Sequence, residues 1–287
     1  MSQSQFKITV EDGTMIEVKV DKAKKNTIGI VHLFHGMAEH MDRYDELVNA
    51  LNIQGYDVLR HNHRGHGKDI DEVERGHFES MSQIVDDAYE IVETLYGAEL
   101  NVPYVVLGHS MGSIIARLFV MRYPEFANGL ILTGTGMFPK WKGVPATFAL
   151  KLVTMILGKR RRVNWVNKLV NKSFNKRIDN PLTESDWIST RRDEVEKFVK
   201  DEYCGFKVSN QLIYQTVKFM MLTIEPKCLD KLNKQLPILL ISGKEDPFGG
   251  YGKGIKQLGK LYKKSGIKHI TVCLLYTSDA ADDLLCV

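Results

Sequence analysis

Apolar and polar residues alternate with a period of two over residues 6–10 and again over 15–20, on either side of Asp12-Gly13. Such alternation lines one face of a strand, and Asp-Gly suits a tight reversal, so the segment predicts a β-hairpin. Residues 27–34 form a continuous apolar run, as expected of a strand buried on both faces. Tyr44, Leu47, Val48 and Leu51 then recur at helical spacing. A strand is expected at 57–60, a helix at 84–95, a strand at 104–107, a helix at 114–121 and a strand at 129–132. This order predicts an α/β fold with a mostly parallel central sheet flanked by helices.

The alternation breaks after residue 136. Residues 137–223 carry several helical patterns and no clear strand, before an apolar strand at 238–241, a helix at 251–264 and the start of a strand at 269–272. The expected organisation is one α/β core from residues 1–136 and 224–272, with a helical cap inserted at 137–223. The length of 287 residues, with 44% hydrophobic and 26% charged positions, suits one such domain. A net charge of +4 gives no argument for nucleic acid. The first residues lack an apolar signal core, and no apolar run reaches the roughly 18 residues of a membrane span. A cytoplasmic protein is expected. Its four cysteines, Cys204, Cys228, Cys273 and Cys286, have no metal-type spacing and read as unpaired thiols.

The text changes character after Val272. Residues 273–287 can be back-translated into a string that resembles the transposase adapter of sequencing libraries, interrupted by a short index. They are expected to be a non-native scar, to be left out of fold reasoning. On that reading the natural sequence departs from this one after Val272, and Cys273 and Cys286 are not native.

Candidate chemistry centres on Gly108-His109-Ser110-Met111-Gly112, between a predicted strand and a predicted helix. A serine on so sharp a turn needs small residues two before and two after it, and both are glycine. Ser110 is the expected nucleophile. Acyl transfer needs two N–H groups aimed at the developing oxyanion, and Met111 and Met37 are the candidates. His35 reads as scaffold for the Met37 loop rather than as a base. Asp246, after the strand at 238–241, is the expected acid that orients a base, with Glu245 as its rival. The base is missing. A histidine is expected after the last strand, where residues 273–287 contain none. His269, the only histidine beyond Asp246, starts that strand and reads as surface. His63 and His66, in His63-Arg64-Gly65-His66-Gly67, lack a carboxylate or cysteine to complete a ligand set and read as a structural loop.

With these residues in place, the chain resembles the monoacylglycerol lipase and lysophospholipase branch of the α/β hydrolases, also described as the serine aminopeptidase S33-type family. The resemblance covers about residues 5–272. It rests on His35-Gly-Met-Ala-Glu-His40, His63-Arg-Gly-His-Gly67, the Ser110 motif and Ser242-Gly-Lys-Glu-Asp-Pro247, with Ser185-Asp-Trp-Ile-Ser189 and Cys204-Gly-Phe206 in the insertion. It implies the α/β-hydrolase fold, a helical cap over the site, no metal or organic cofactor, and hydrolysis of lipid-like carboxylic esters. The missing histidine implies that this chain is inactive although its parent is not. An amide or peptide hydrolase with the same triad, or a non-catalytic binding module, remain the alternatives. Lys159, Arg160, Arg161, Arg162, Lys168, Lys172, Lys176 and Arg177 lie in a stretch without acids. Interleaved with apolar residues, they suggest either a solvated helix face or peripheral contact with an anionic membrane.

Overall fold

The computed structural model describes residues 3–97 and 100–275. The expected hairpin is β1 (Gln3–Thr9) and β2 (Met15–Asp21), followed by β3 (Gly29–Phe34), α1 (Asp45–Gln54), β4 (Tyr56–His61), α2 (Met81–Tyr96), β5 (Tyr104–His109), α3 (Met111–Arg122) and β6 (Gly129–Thr133). Helices α4 (Lys140–Leu157), α5 (Asn164–Phe174), α6 (Arg192–Lys200), α7 (Asn210–Leu222) and α8 (Pro226–Leu229) follow without a strand. The chain then returns to the sheet through β7 (Ile238–Gly243), α9 (Lys253–Lys264) and β8 (Ile270–Leu275). The sheet order is β1-β2-β4-β3-β5-β6-β7-β8. β3 to β8 are parallel, and the hairpin joins antiparallel through β2 and β4.

The parallel strands β3 to β7 are largely buried on both faces because helices cover both. Val31, Leu33, Val58 and Leu107 pack on one side against Tyr44, Leu47 and Val48 around α1. The larger core lies on the other side, where Phe34, Val106 and Leu132 meet α2, α3, α7 and α9. Within the described residues no helix is long and apolar enough to cross a membrane.

β8 departs from expectation. It runs to Leu275 and pairs with β7 through Cys273, Leu274 and Leu275, opposite Ile241, Ser242 and Gly243. The adapter-like text thus builds half of the last strand, because parallel pairing asks only for a free backbone and β-tolerant side chains. Residues 276–287, with Cys286 and the rest of that text, lie outside the described residues.

The basic stretch is only partly free. Lys159 pairs with Glu79 at 3.0 Å and Arg160 with Glu74 at 2.5 Å. Arg162 donates to the carbonyls of Glu72, Val73 and Arg75. These cations fasten the insertion to the loop before α2. Among the described residues Arg161, Lys172 and Lys176 form no ion pair. In the same insertion, Trp141, Phe148, Met155, Ile156, Trp165 and Leu169 leave more than half of their surface in water.

Candidate active site

Ser110 sits between β5 and α3 with φ 50° and ψ −116°, a backbone conformation that costs energy for any residue with a Cβ. The two glycines make the turn possible. A Cβ at Gly108 would lie 2.4 Å from the Gly112 carbonyl oxygen, and one at Gly112 would lie 2.1 Å from that of Phe34. The Ser110 N–H donates to the Thr133 carbonyl at 3.0 Å, which ties the elbow to β6.

The loop after β3 lies against the serine. A Cβ at Gly36 would fall 3.3 Å from Ser110 Cβ. Met37, the next residue, lines the same cleft as Ser110. Met111 opens α3, so its N–H has no acceptor within the helix. Both expected oxyanion donors therefore border Ser110.

Three buried histidines, His35, His63 and His66, shape this loop. The His35 Nδ1–H donates to the Gly36 carbonyl, and its Nε2 accepts from the His63 N–H. The His66 Nδ1–H donates to the Arg64 carbonyl, and its Nε2 accepts from the Ala38 N–H. With both nitrogens committed to backbone, His35 and His66 are neutral, and burial holds their pKa values below the ordinary range. Burial does the same to His63 and to His109, whose Nδ1 meets Thr133 Oγ1 at 2.9 Å.

Sequence reasoning missed Glu39. Its buried carboxylate accepts from the Gly36 N–H, the Tyr44 hydroxyl and Arg43. Burial alone would raise its pKa, but the charge of Arg43 and its other partners hold it at about 2. Glu39 thereby anchors the backbone on the N-terminal side of Met37. It stands inside the quoted motif, yet nothing in its spacing distinguishes it from a surface acid.

Asp246 and its rival separate clearly. Asp246 is buried in the cleft with Ser110, accepting from Ser242 Oγ at 2.7 Å and from the Phe248 N–H at 2.8 Å. Burial pushes its carboxyl up to about 6, against the pull of these hydrogen bonds. Glu245 is exposed and faces Arg177 at 3.7 Å. Among the described residues no histidine hydrogen-bonds to Ser110 or Asp246. His269 is exposed, and its carbonyl accepts from the Ile238 N–H at the opening of β7. Sheet register puts it about five residues, or roughly 16 Å, from the end of the strands where Ser110 sits.

Two depressions meet at Ser110 and Met37. One is the narrow cleft holding Glu39, His109 and Asp246. The other, of about 500 Å³, runs beneath the insertion and is lined largely by apolar side chains such as Phe138, Phe174, Ile213 and Met220. One grouping among the described residues has metal-type donors: His40, Asp201 and Cys204. There His40 Nε2 is already bonded to Asp201 at 2.8 Å, and burial raises the Cys204 thiol, disfavouring the thiolate that a metal needs.

The sheet order, the crossover helices and the strained strand-to-helix elbow define an α/β-hydrolase fold. Its family follows from comparison: the chain belongs to the serine aminopeptidase S33 family of hydrolases, whose model matches residues 25–276. A monoacylglycerol lipase of Mycolicibacterium smegmatis is 35% identical over 106 residues, covering 37% of each chain. A monoglyceride lipase of Mus musculus is 31% identical over 150 residues, covering 51% of this chain and 48% of the mouse protein. The chain thus spans about half the length, or less, of the curated relatives it matches. A thermostable carboxyl esterase from Bacillus coagulans, solved in complex with glycerol, superposes with a TM-score of 0.85 at 26% identity, covering 96% of this chain and 90% of the esterase.

Proposed function

We propose that the chain is built as a serine carboxylic-ester hydrolase for lipid-like esters, a monoacylglycerol or a lysophospholipid. The observation that carries this reading is Ser110, held in a strained elbow where a polar cleft with Asp246 meets an apolar cavity of about 500 Å³. The acyl chain occupies the apolar cavity, and the ester carbonyl lies at Ser110. Ser110 Oγ attacks that carbon, and the Met37 and Met111 N–H groups receive the oxyanion. A histidine between Ser110 and Asp246 takes the serine proton and returns it to the leaving alcohol. Water then releases the acyl-enzyme by the same route. On this reading the histidine is not among the residues of this sequence, and the chain as it stands is inactive. Residues 137–223 act as the cap on a core of 1–136 and 224–272. No step calls for a metal or organic cofactor.

The names of the curated relatives favour a glycerol ester. The family description keeps amide or peptide hydrolysis as the second reading. The cytoplasmic placement is retained, with peripheral membrane contact through the exposed aromatics and free cations of the insertion.

One panel tests the reading, using a chain whose residues 273–287 are replaced by the histidine-bearing C-terminal segment of a family member. Long-chain monoacylglycerol in anionic vesicles should be cleaved about 100-fold faster or more than the matching anilide. Each cation at such a surface contributes about 1 kcal/mol, so replacing Arg161, Lys172 and Lys176 with Gln should weaken vesicle binding by about 100-fold. Hydrolysis of a short soluble ester should not change. Faster cleavage of the anilide would favour the second reading, lipid binding without cleavage would favour a binding module, and unchanged vesicle affinity would remove the membrane contact.

A further inference from the structure

Arg117, on α3, is wholly buried and forms no ion pair among the described residues. A guanidinium without a counter-charge is costly to bury, so its partners indicate what it is for. All are neutral oxygens, and they lie where the helical insertion leaves and rejoins the core. Nη2 donates to Thr135 Oγ1 and, at 2.7 Å, to the Gly136 carbonyl, just after β6. Nη1 donates to Thr223 Oγ1 at 3.4 Å, at the end of α7. One planar fork thus spans both ends of the insertion.

The same atoms continue to the candidate active site. Thr135 Oγ1 meets Ser113 Oγ at 2.9 Å, and Ser113 Oγ donates to the Ser110 carbonyl at 2.6 Å. Donors and acceptors fit along this path. Ser113 gives its one proton to Ser110, so Thr135 donates to Ser113 and accepts from Arg117 on a lone pair. Gly136 backs onto the acid loop: a Cβ there would lie 2.7 Å from the Phe248 carbonyl oxygen and 3.0 Å from Gly249 Cα. Gly249 in turn lies beside Asp246, with its own Cβ position 3.1 Å from Asp246 Oδ2.

We infer that Arg117 is a positioning residue that pins both ends of the insertion to the nucleophile elbow and the acid loop. It thereby fixes, from beneath, where the roof of the apolar cavity sits over Ser110. Arginine suits this task because its rigid fork satisfies oxygens on two separate segments at once. Lysine would reach only one of them, and an apolar residue would leave all three without a donor.

The first test needs no activity. In this chain, Arg117→Met should raise amide hydrogen exchange about tenfold at residues 134–137 and 222–225, while β3 and β5 keep their protection. Arg117→Lys should recover part of the protection. Thr223→Val, which removes a single acceptor, should loosen only residues 222–225 and decides the matter if Arg117→Met does not fold. Unchanged exchange at both ends, or a uniform rise across the core, would overturn the inference. A second readout rests on the lipid-ester reading. In the chain carrying the family C-terminal segment, Arg117→Met should raise KM for a long-chain monoacylglycerol about tenfold and leave kcat/KM for a short soluble ester within about threefold. A purely structural loss would reduce both alike and would overturn the positioning role. If the parent cleaves no ester, the lipid-ester reading fails while the exchange result still decides the role of Arg117.

Discussion

Ester turnover should rise by about 10⁴-fold or more when residues 273–287 are replaced by a family C-terminal segment that carries a histidine after the last strand. A serine hydroxyl is a weak nucleophile at neutral pH and needs a base within hydrogen-bond reach. Removing the base from such a triad costs on the order of 10⁶-fold, while the oxyanion donors and substrate binding keep about 10³–10⁴-fold over water. In the present chain the cleft brings together Ser110, Met37 and Asp246, with no histidine bonded to either Ser110 or Asp246 among the described residues. Hydrolysis of p-nitrophenyl butyrate should therefore stay near background until the segment is added. An ordinary enzymatic rate from the unaltered chain would mean that a histidine already present serves as base. His109 would then be the first to replace, since it lines the cleft beside Ser110, whereas His269 lies at the opposite end of the sheet.

The second large effect is on stability. Burial pushes the Asp246 carboxyl from 3.8 to about 6, so the folded chain holds this proton more tightly than the unfolded chain does. The resulting stabilisation is complete below about pH 4 and is lost as pH rises through 6. Two pKa units correspond to roughly 3 kcal/mol. Asp246→Asn removes the charge and keeps the shape, with an oxygen for the Phe248 N–H and an N–H that Ser242 Oγ accepts once its own proton turns to the Gly243 carbonyl. The variant should be more stable than the parent by about 2–3 kcal/mol at pH 8, with the difference closing by pH 4. Urea unfolding at the two pH values measures it. Adding the histidine-bearing segment should shrink the gap at pH 8, because an imidazole N–H then shares the carboxylate. Equal or lower stability of Asp246→Asn at pH 8 in the unextended chain would contradict this account of the buried acid.

The parts of this molecule legible in the sequence are those fixed by local sterics or periodicity. Gly108 and Gly112 marked the elbow because a Cβ at either position would strike backbone. The apolar runs that became β3, β5, β6 and β7 were readable because a strand covered on both faces admits few polar residues. The residues that were not legible act through partners distant in sequence. Glu39 resembled a loop acid until the Gly36 N–H and the Tyr44 hydroxyl were seen to point at it. Arg117 resembled one charged residue on a helix, and its meaning depends on Thr135, Gly136 and Thr223 meeting around it. The basic stretch was legible only in part for the same reason. Its charge was plain, but three of its eight cations are directed at the loop before α2.

The central claim is that Ser110 is the nucleophile, and peptide mapping after treatment with a fluorophosphonate tests it most directly. In the chain carrying the family C-terminal segment, the phosphonyl group should be found on the peptide containing Ser110, in step with loss of ester turnover, and Ser110→Ala should carry none. An adduct on another residue that tracks the loss of turnover, or complete inactivation with Ser110 unmodified, would contradict the account.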